Sequence, residues 1–135
     1  KPLIYPGVPE LTARLSGKGH ALGLVTGNVR ATAWSKLRHA GLDRAFSFGA
    51  YGDDHHARDE IARIAIARTP PGAAPRVLIG DTPLDIQAAK ANGLAAVAVA
   101  TGWVTADALA AAGADLVLPD FADTDARIAQ IEQLL

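Results

Sequence analysis

The 135-residue sequence contains no cysteine and no methionine, and only 5% of its residues are aromatic. Without cysteine there can be no disulfide, thiolate metal site or thiol nucleophile, and nothing points to an oxidising compartment; a cytoplasmic location is the default expectation. A dominant charge of one sign is also missing, since 13 basic and 14 acidic residues leave a formal net charge of -1. That balance argues against electrostatic affinity for nucleic acid or anionic lipid. No apolar run reaches the roughly 18 residues that span a bilayer, and the opening KPLIYPGVPE has no signal-peptide core. The chain is therefore expected to be neither membrane-inserted nor exported. Because position 1 is lysine rather than methionine, we expect further polypeptide upstream.

What is present is a soluble-protein composition, 50% hydrophobic and 20% charged, in a length suited to one domain over 1–135. Ala21 to Val25, Arg76 to Ile79 and Ala95 to Ala100 are nearly continuous apolar segments, the pattern of parallel strands covered on both faces. Phe46 to Phe48 and Leu116 to Leu118 read as weaker, outer strands. Helical patterns alternate with them. Ala33, Trp34, Leu37 and Ala40 share one stripe that Gly41 can stop; Ile61, Ile64 and Ala65 mark a second; Leu84, Ala88 and Ala91 mark a third, stopped by Gly93. A helix from Pro9 to about Ser16 opens the chain, a short one follows Thr105, and one over Asp125 to Leu135 closes it, while residues 69 to 75 form a loop. This βα repetition implies an α/β fold, a doubly wound parallel sheet joined by right-handed crossovers. Such sheets bind ligands beyond the carboxyl ends of their strands, here just after Val25, Phe48 and Gly80.

Polar residues collect at those three places. Thr26, Gly27 and Asn28 bring a hydroxyl, a flexible backbone and free amides to the positive end of a helix, a seat for an anion; equally, Asn28 can cap that helix and Gly27 make the turn. In GDTPLD, residues 80–85, Thr82 reads as an N-cap and Pro83 as the first helical residue, so Asp85 either closes a capping box or serves chemistry. Asp81 precedes the cap, on the strand-end turn. Two carboxylates at one strand end repel each other unless a cation lies between or beside them, and Mg²⁺ takes one or two carboxylates together with phosphate and water. Magnesium beside an anion seat implies phosphoryl chemistry.

LVTGN at 24 to 28 and GDTPLDIQAAKANG at 80 to 93 resemble motifs II and IV of the haloacid dehalogenase (HAD) superfamily. YPGVPELTARLSGKGHALGLVTGN is similar to the segment that re-enters the core after a helical cap in its phosphoglycolate-phosphatase-like branch. The resemblance covers nearly the whole chain. It implies that Thr26 hydrogen-bonds a transferring phosphoryl group with help from the Gly27 and Asn28 backbone, that Asp81 ligates Mg²⁺, and that Asp85 holds the ion through water. It also implies a nucleophilic aspartate in a D-x-D motif on an N-terminal strand, at the sheet centre between the strands ending at Val25 and Gly80. No such strand and motif occur in the 135 residues. The expectation is a C-terminal core fragment, inactive alone and partnered by a missing N-terminal segment of the same protein.

The cation of the family's third motif is usually a lysine. Here His56 lies near that slot and Arg58 two residues on; we assign the role to Arg58, because a permanent cation suits both phosphate and a carboxylate cluster. A solvated arginine at a helix start is the plainer alternative. His55 and His56 beside Asp53 and Asp54 also permit a transition-metal site, although adjacent side chains seldom converge on one ion. His20 and His39 read as structural or exposed, Trp34 as core, and Trp103 as packed or rimming the site. The function implied is a Mg²⁺-dependent phosphatase acting on a small phosphorylated metabolite through a phospho-aspartyl intermediate, with a homodimer compatible. The competing reading is a non-enzymatic, receiver-like or vestigial module that binds Mg²⁺ or a partner at the same acidic corner. Dehalogenases of the family need no metal and lack the Gly-Asp of GDTPLD.

Overall fold

The structure, a computed structural model, describes residues 7–135. Lys1 to Pro6, and with them Tyr5 and Pro6 of the segment compared with a cap re-entry, lie outside the described residues. The elements run α1 (Val8–Gly17), β1 (Gly23–Val25), α2 (Arg30–His39), β2 (Phe48–Ala50), α3 (Arg58–Ala67), β3 (Val77–Gly80), α4 (Pro83–Ala91), β4 (Ala95–Val99), α5 (Ala106–Ala111), β5 (Leu116–Leu118) and α6 (Thr124–Glu132). Every strand pairing is parallel, so each helix between paired strands is a crossover.

β4 shows why its sequence is apolar throughout. Val97 and Val99 enter one cluster with Leu11 and Leu15 of α1 and Ile128 and Ile131 of α6. Ala96 and Ala98 point the other way, into a cluster with Ala62 of α3, Ile86 and Ala89 of α4 and Leu109 of α5. A period of two with both faces covered leaves no position for a polar residue. The small alanines let α3 and α4 pack close to the sheet; the valines fill the wider side.

Local signals place the helix ends. Gly41 and Gly93 have φ of +73° and +70°, left-handed conformations that glycine adopts at no steric cost just beyond a helix. Thr82 caps α4 with Pro83 as its first residue, and the Thr105 hydroxyl accepts from the Ala108 amide at 3.2 Å to start α5.

Three expectations need correction. The first is the stripe on α4, which buries Ile86, Ala88 and Ala89 while Leu84 and Ala91 are exposed, since the sheet-facing side is the one that carries Asp85 and Ile86. β2 lies at 48–50 instead of 46–48, because Ala50 and Tyr51 are the buried residues and Ala50 packs with Ile61 and Ala65 of α3. Trp34 is not a core residue. It is half-buried on α2 and donates its indole N–H to the Tyr51 hydroxyl at 2.7 Å, while Ala33 and Leu37 carry the buried stripe. An indole with a polar handle settles at a boundary where both halves are satisfied.

The sheet is divided. β1 pairs with β2, and β3, β4 and β5 form a separate three-stranded ladder; no hydrogen bonds join β1 to β3. Between these two edges runs a cleft of about 540 Å³, lined by Leu22 and Leu24 on one side and Leu78 and Ile79 on the other. Two apolar strand edges thus face open space, an arrangement that native proteins ordinarily cover.

Candidate active site at the carboxyl edge of the strands

The loop after β1 is held from two directions. The Thr26 amide donates to the Ala50 carbonyl at 3.3 Å, continuing the β1–β2 ladder, and the Gly52 amide donates to the Asn28 carbonyl at 2.8 Å. Glycine is required at position 52 by proximity: a Cβ there would run into the Gly27 carbonyl. Within the loop the Thr26 hydroxyl oxygen accepts from the Asn28 amide at 3.1 Å, which leaves the hydroxyl hydrogen free to donate outward. Asn28 is not the cap of α2. Val29 occupies that position, and the Arg30 amide is satisfied by Asp53 Oδ1 at 3.0 Å, reaching across from the loop after β2.

The loop after β3 is organised around Asp85. Its Oδ2 accepts from the amides of Asp81 and Thr82 at 3.1 and 3.3 Å and from the Thr82 hydroxyl at 3.1 Å, closing the capping box. Its other oxygen, Oδ1, meets Arg58 Nη1 at 2.5 Å. The carboxylate is buried, with only 7% of the residue exposed, and its charge is compensated by the guanidinium and by turn amides. The close fit extends to Gly80, where an added Cβ would run into the Asp85 carboxylate.

Arg58 joins the two loops. While Nη1 holds Asp85, Nη2 lies within 3.5 Å of where a Cβ of Gly27 would stand. Gly27, Arg58 and Asp85 are therefore neighbours, although they come from the ends of three different βα units. His56 has no comparable contact. The His55 and His56 rings stack on each other with centroids 4.6 Å apart, and His55 Nδ1 accepts from the Ala57 amide at 2.9 Å, fixing the turn into α3.

Asp53 and Asp54 are committed elsewhere. Asp53 caps α2, and Asp54 forms a forked pair with Arg68 at 2.7 and 2.9 Å while accepting from the Tyr51 amide. The hydrogen bond from Arg68 is the main cause that holds the Asp54 carboxyl below its ordinary range. Arg68 also donates to the Gly49 carbonyl at 3.0 Å, so this fork braces the β2 edge.

Asp81 differs from its neighbour. Its carboxylate has no hydrogen bond or ion pair with another described residue; Oδ2 lies 2.6 Å from the place a Cβ on Gly102 would take, so glycine in the loop after β4 makes room for it. As candidate Mg²⁺ ligands the two aspartates are thus unequal. Asp81 offers lone pairs for a hard cation, which suits an ion bound by one carboxylate plus phosphate and water. Asp85 has both oxygens engaged by protein donors and fits a role at one remove. The repulsion that seemed to require a metal at Asp85 is already offset by Arg58. Among the described residues, no group of three or more acidic or histidine side chains is positioned to hold a metal.

Gly52 and Gly102 belong to this corner and were not assigned site roles from sequence. Glycine next to a strand end was the available signal at positions 52 and 102, but only the fold tells which neighbour the missing side chain admits. Trp103 is 90% exposed, which corrects the packed alternative. No helix among the described residues is long and apolar enough to cross a membrane.

The chain is thus a parallel α/β fold, covered on both faces, with an arginine-bridged acidic corner at its strand ends. The family model for haloacid dehalogenase-like hydrolases matches residues 2–99, and the chain belongs to that family. It is 35% identical over 125 residues to a probable phosphatase, IndB, of Dickeya dadantii, an alignment covering 90% of this chain and 54% of that protein. It is 30% identical over 128 residues to phosphoglycolate phosphatase of Synechococcus elongatus, covering 95% of this chain and 60% of the enzyme. The crystal structure of a predicted phosphatase from Clostridium acetobutylicum superposes with a TM-score of 0.79 at 24% identity, covering 96% of this chain and 60% of that one, and shares the fold. The chain thus spans between half and two thirds of the length of these proteins.

Proposed function

We propose that this chain is the carboxyl-terminal core of a Mg²⁺-dependent phosphatase that hydrolyses a small phosphomonoester through a phospho-aspartyl intermediate. The observation that carries the reading is the meeting of Gly27, Arg58 and Asp85 beside the unpartnered Asp81. In this reading a strand from a preceding segment of the same protein enters the cleft between β1 and β3 and brings the nucleophilic aspartate to the site. Several things support that placement: the two free parallel edges, the apolar walls, and the buried Thr69 hydroxyl that lines the cleft without a hydrogen-bond partner.

The roles of the residues follow from their chemistry. The Thr26 hydroxyl, held by the Asn28 amide, donates its hydrogen to a phosphoryl oxygen, and the backbone around Gly27 lets that oxygen approach closely. Arg58 supplies fixed positive charge beside the phosphoryl group and keeps Asp85 in place. Asp85 orders the turn that carries Asp81 by accepting its amide. Asp81 is the residue that would hold Mg²⁺, with Asp85 supporting it at one remove, and the chemistry such an ion would supply is neutralisation of phosphoryl charge. The protein is read as a cytoplasmic enzyme acting on a small phosphorylated metabolite, a reading supported by the phosphatase names of its relatives only as far as the activity.

The test uses the full-length protein with p-nitrophenyl phosphate. Hydrolysis should require Mg²⁺ and be lost on chelation, and Asp81→Asn should lower kcat at least 100-fold, on the order expected for removing a metal ligand or its support. Unchanged turnover in Asp81→Asn removes the metal assignment, and absence of Mg²⁺-dependent hydrolysis in the wild type favours the non-enzymatic module.

A further inference from the structure

Seven of the twelve lysines and arginines among the described residues sit in ion pairs. Four of the other five, Arg30, Lys36, Arg38 and Arg44, fall within residues 30–44, on α2 and the turn after it, where Asp43 is the one acidic residue. A basic helix in water is ordinary by itself. This one also carries a formed cavity. Arg30, Trp34 and Arg38 recur every fourth residue and so lie along one side of α2. With Ala31 and Asp53 they line an open cavity of about 560 Å³, which shares no residue with the cleft between β1 and β3 or with Thr26, Gly27, Arg58, Asp81 and Asp85.

Three contacts fix its walls. The Trp34 indole N–H is held by the hydroxyl of buried Tyr51 at 2.7 Å, the Arg30 guanidinium lies 5.5 Å from the centre of the Tyr51 ring, and the Arg30 amide donates to Asp53 Oδ1 at 3.0 Å. A guanidinium resting on a ring keeps its edge N–H donors for another partner. Neither Arg30 nor Arg38 gives a side-chain hydrogen bond to another described residue, and Asp53 Oδ2 accepts none from one.

We infer that this side of α2 is a binding site for a heteroaromatic phosphate of the nucleotide class, separate from the phosphoryl site and independent of the phosphatase reading. Two guanidiniums suit a phosphate. They stand two helical turns apart, roughly 12 Å along the axis, with the indole midway, so a ligand that engages both covers the indole. The indole and Ala31 make an apolar floor that a planar ring covers and the carboxylates of an acidic peptide do not. The open oxygen of Asp53 accepts an amino or N–H group of such a ring. The same carboxylate, with a net charge of -1 on the whole chain, disfavours a long polyanion, so a small molecule fits this face better than nucleic acid or an anionic membrane.

The test is fluorescence anisotropy of N-methylanthraniloyl-ADP titrated with the full-length protein in EDTA, which suppresses Mg²⁺-dependent turnover. Saturable binding is expected, and unlabelled ADP should displace the probe at least 10-fold better than adenosine or inorganic pyrophosphate. Arg38→Ala, an exposed change on a helix surface, should weaken binding about 10-fold, as for a lost charge-assisted contact, and Arg38→Lys should recover part of it. Trp34→Leu should weaken binding about 5-fold, whereas Trp34→Phe, which keeps a ring, should cost less. Thr26→Ala, at the phosphoryl site, should leave it unchanged. Melting curves show whether the Trp34 variants remain folded; the Arg38 variants decide the matter if they do not. Absence of saturable binding overturns the inference, and so does an Arg38→Ala variant that binds like the wild type. A loss in Thr26→Ala equal to that in Arg38→Ala would move the nucleotide to the phosphoryl site. Pyrophosphate competing as well as ADP would reduce the face to an unspecific anion patch, and a polyglutamate peptide competing better than ADP would make it a docking surface for an acidic partner; each of these results also overturns it.

Discussion

The guanidinium of Arg58 meets the carboxylate of Asp85 at 2.5 Å, tying the first residue of α3 to the first turn of α4 across the edge where the strands end. Asp85 is nearly buried, and the remaining donors around it are neutral turn groups. Arg58→Ala therefore leaves a buried carboxylate without its counter-charge. The side chain of Arg58 is itself 27% exposed, so water partly replaces it; we expect a loss of about 2 kcal/mol, less than for a fully buried pair. Urea unfolding of the wild type, Arg58→Ala, Asp85→Asn and the double variant measures it. Coupling between the two positions close to zero would mean that the pair is not formed in solution.

Gly52 and Gly27 are neighbours with opposite tolerances. A Cβ on Gly52 meets the rigid carbonyl of Gly27, whereas a Cβ on Gly27 finds only the flexible tip of Arg58 at 3.5 Å. Gly52→Ala should destabilise the protein by about 1–3 kcal/mol, as overpacking does, and displace the loop that carries Thr26. Gly27→Ala should stay within about 0.5 kcal/mol of the wild type. Thermal unfolding of both variants compares them directly, and equal stabilities would contradict the close approach.

Much of this architecture was legible in the sequence because the signals were local. The three strongest strands were continuous apolar runs, and Thr82-Pro83 with Gly41 and Gly93 marked helix ends through backbone chemistry that works the same way in any fold. The capping role of Asp85 was legible for the same reason. The Arg58–Asp85 pair was not, since it joins residues 27 positions apart and only the packing of α3 on α4 creates it. Trp34 and the position of β2 were misplaced together. The buried end of that strand is carried by Ala50 and Tyr51, and the Tyr51 hydroxyl draws the indole N–H out of the core pattern.

Acid should loosen the β2 edge. The Asp54 carboxyl is held below its ordinary range chiefly by the Arg68 hydrogen bond and then by the Tyr51 amide. A depressed folded-state value means that the unfolded chain binds the proton more readily. The stabilisation is therefore complete above the ordinary aspartate range, near pH 4, and is lost as the pH falls through the lower folded value. Asp54→Asn should lower the melting temperature at pH 7 and reduce its fall between about pH 5 and pH 2. Parallel melting curves for wild type and variant across that range would refute the assignment.

The open cleft gives a prediction with opposite signs in two forms of the protein. Ile79 is 37% exposed on the free edge of β3, and it lines the cleft opposite β1. If a strand of the preceding segment fills that space, Ile79 becomes buried in the complete protein, and Ile79→Lys places an unpaired charge in the sheet. The full-length variant should lose at least about 2 kcal/mol. In residues 1–135 expressed alone the same lysine stands on an uncovered edge, where charge discourages strand-to-strand association. There it should slow aggregation, measured by light scattering at equal concentration. An isolated apolar groove that remains open to water in the complete protein predicts something else, since a lysine on its wall would be harmless to stability in both forms. The two measurements together separate a cleft completed by another strand from one that is part of the finished surface.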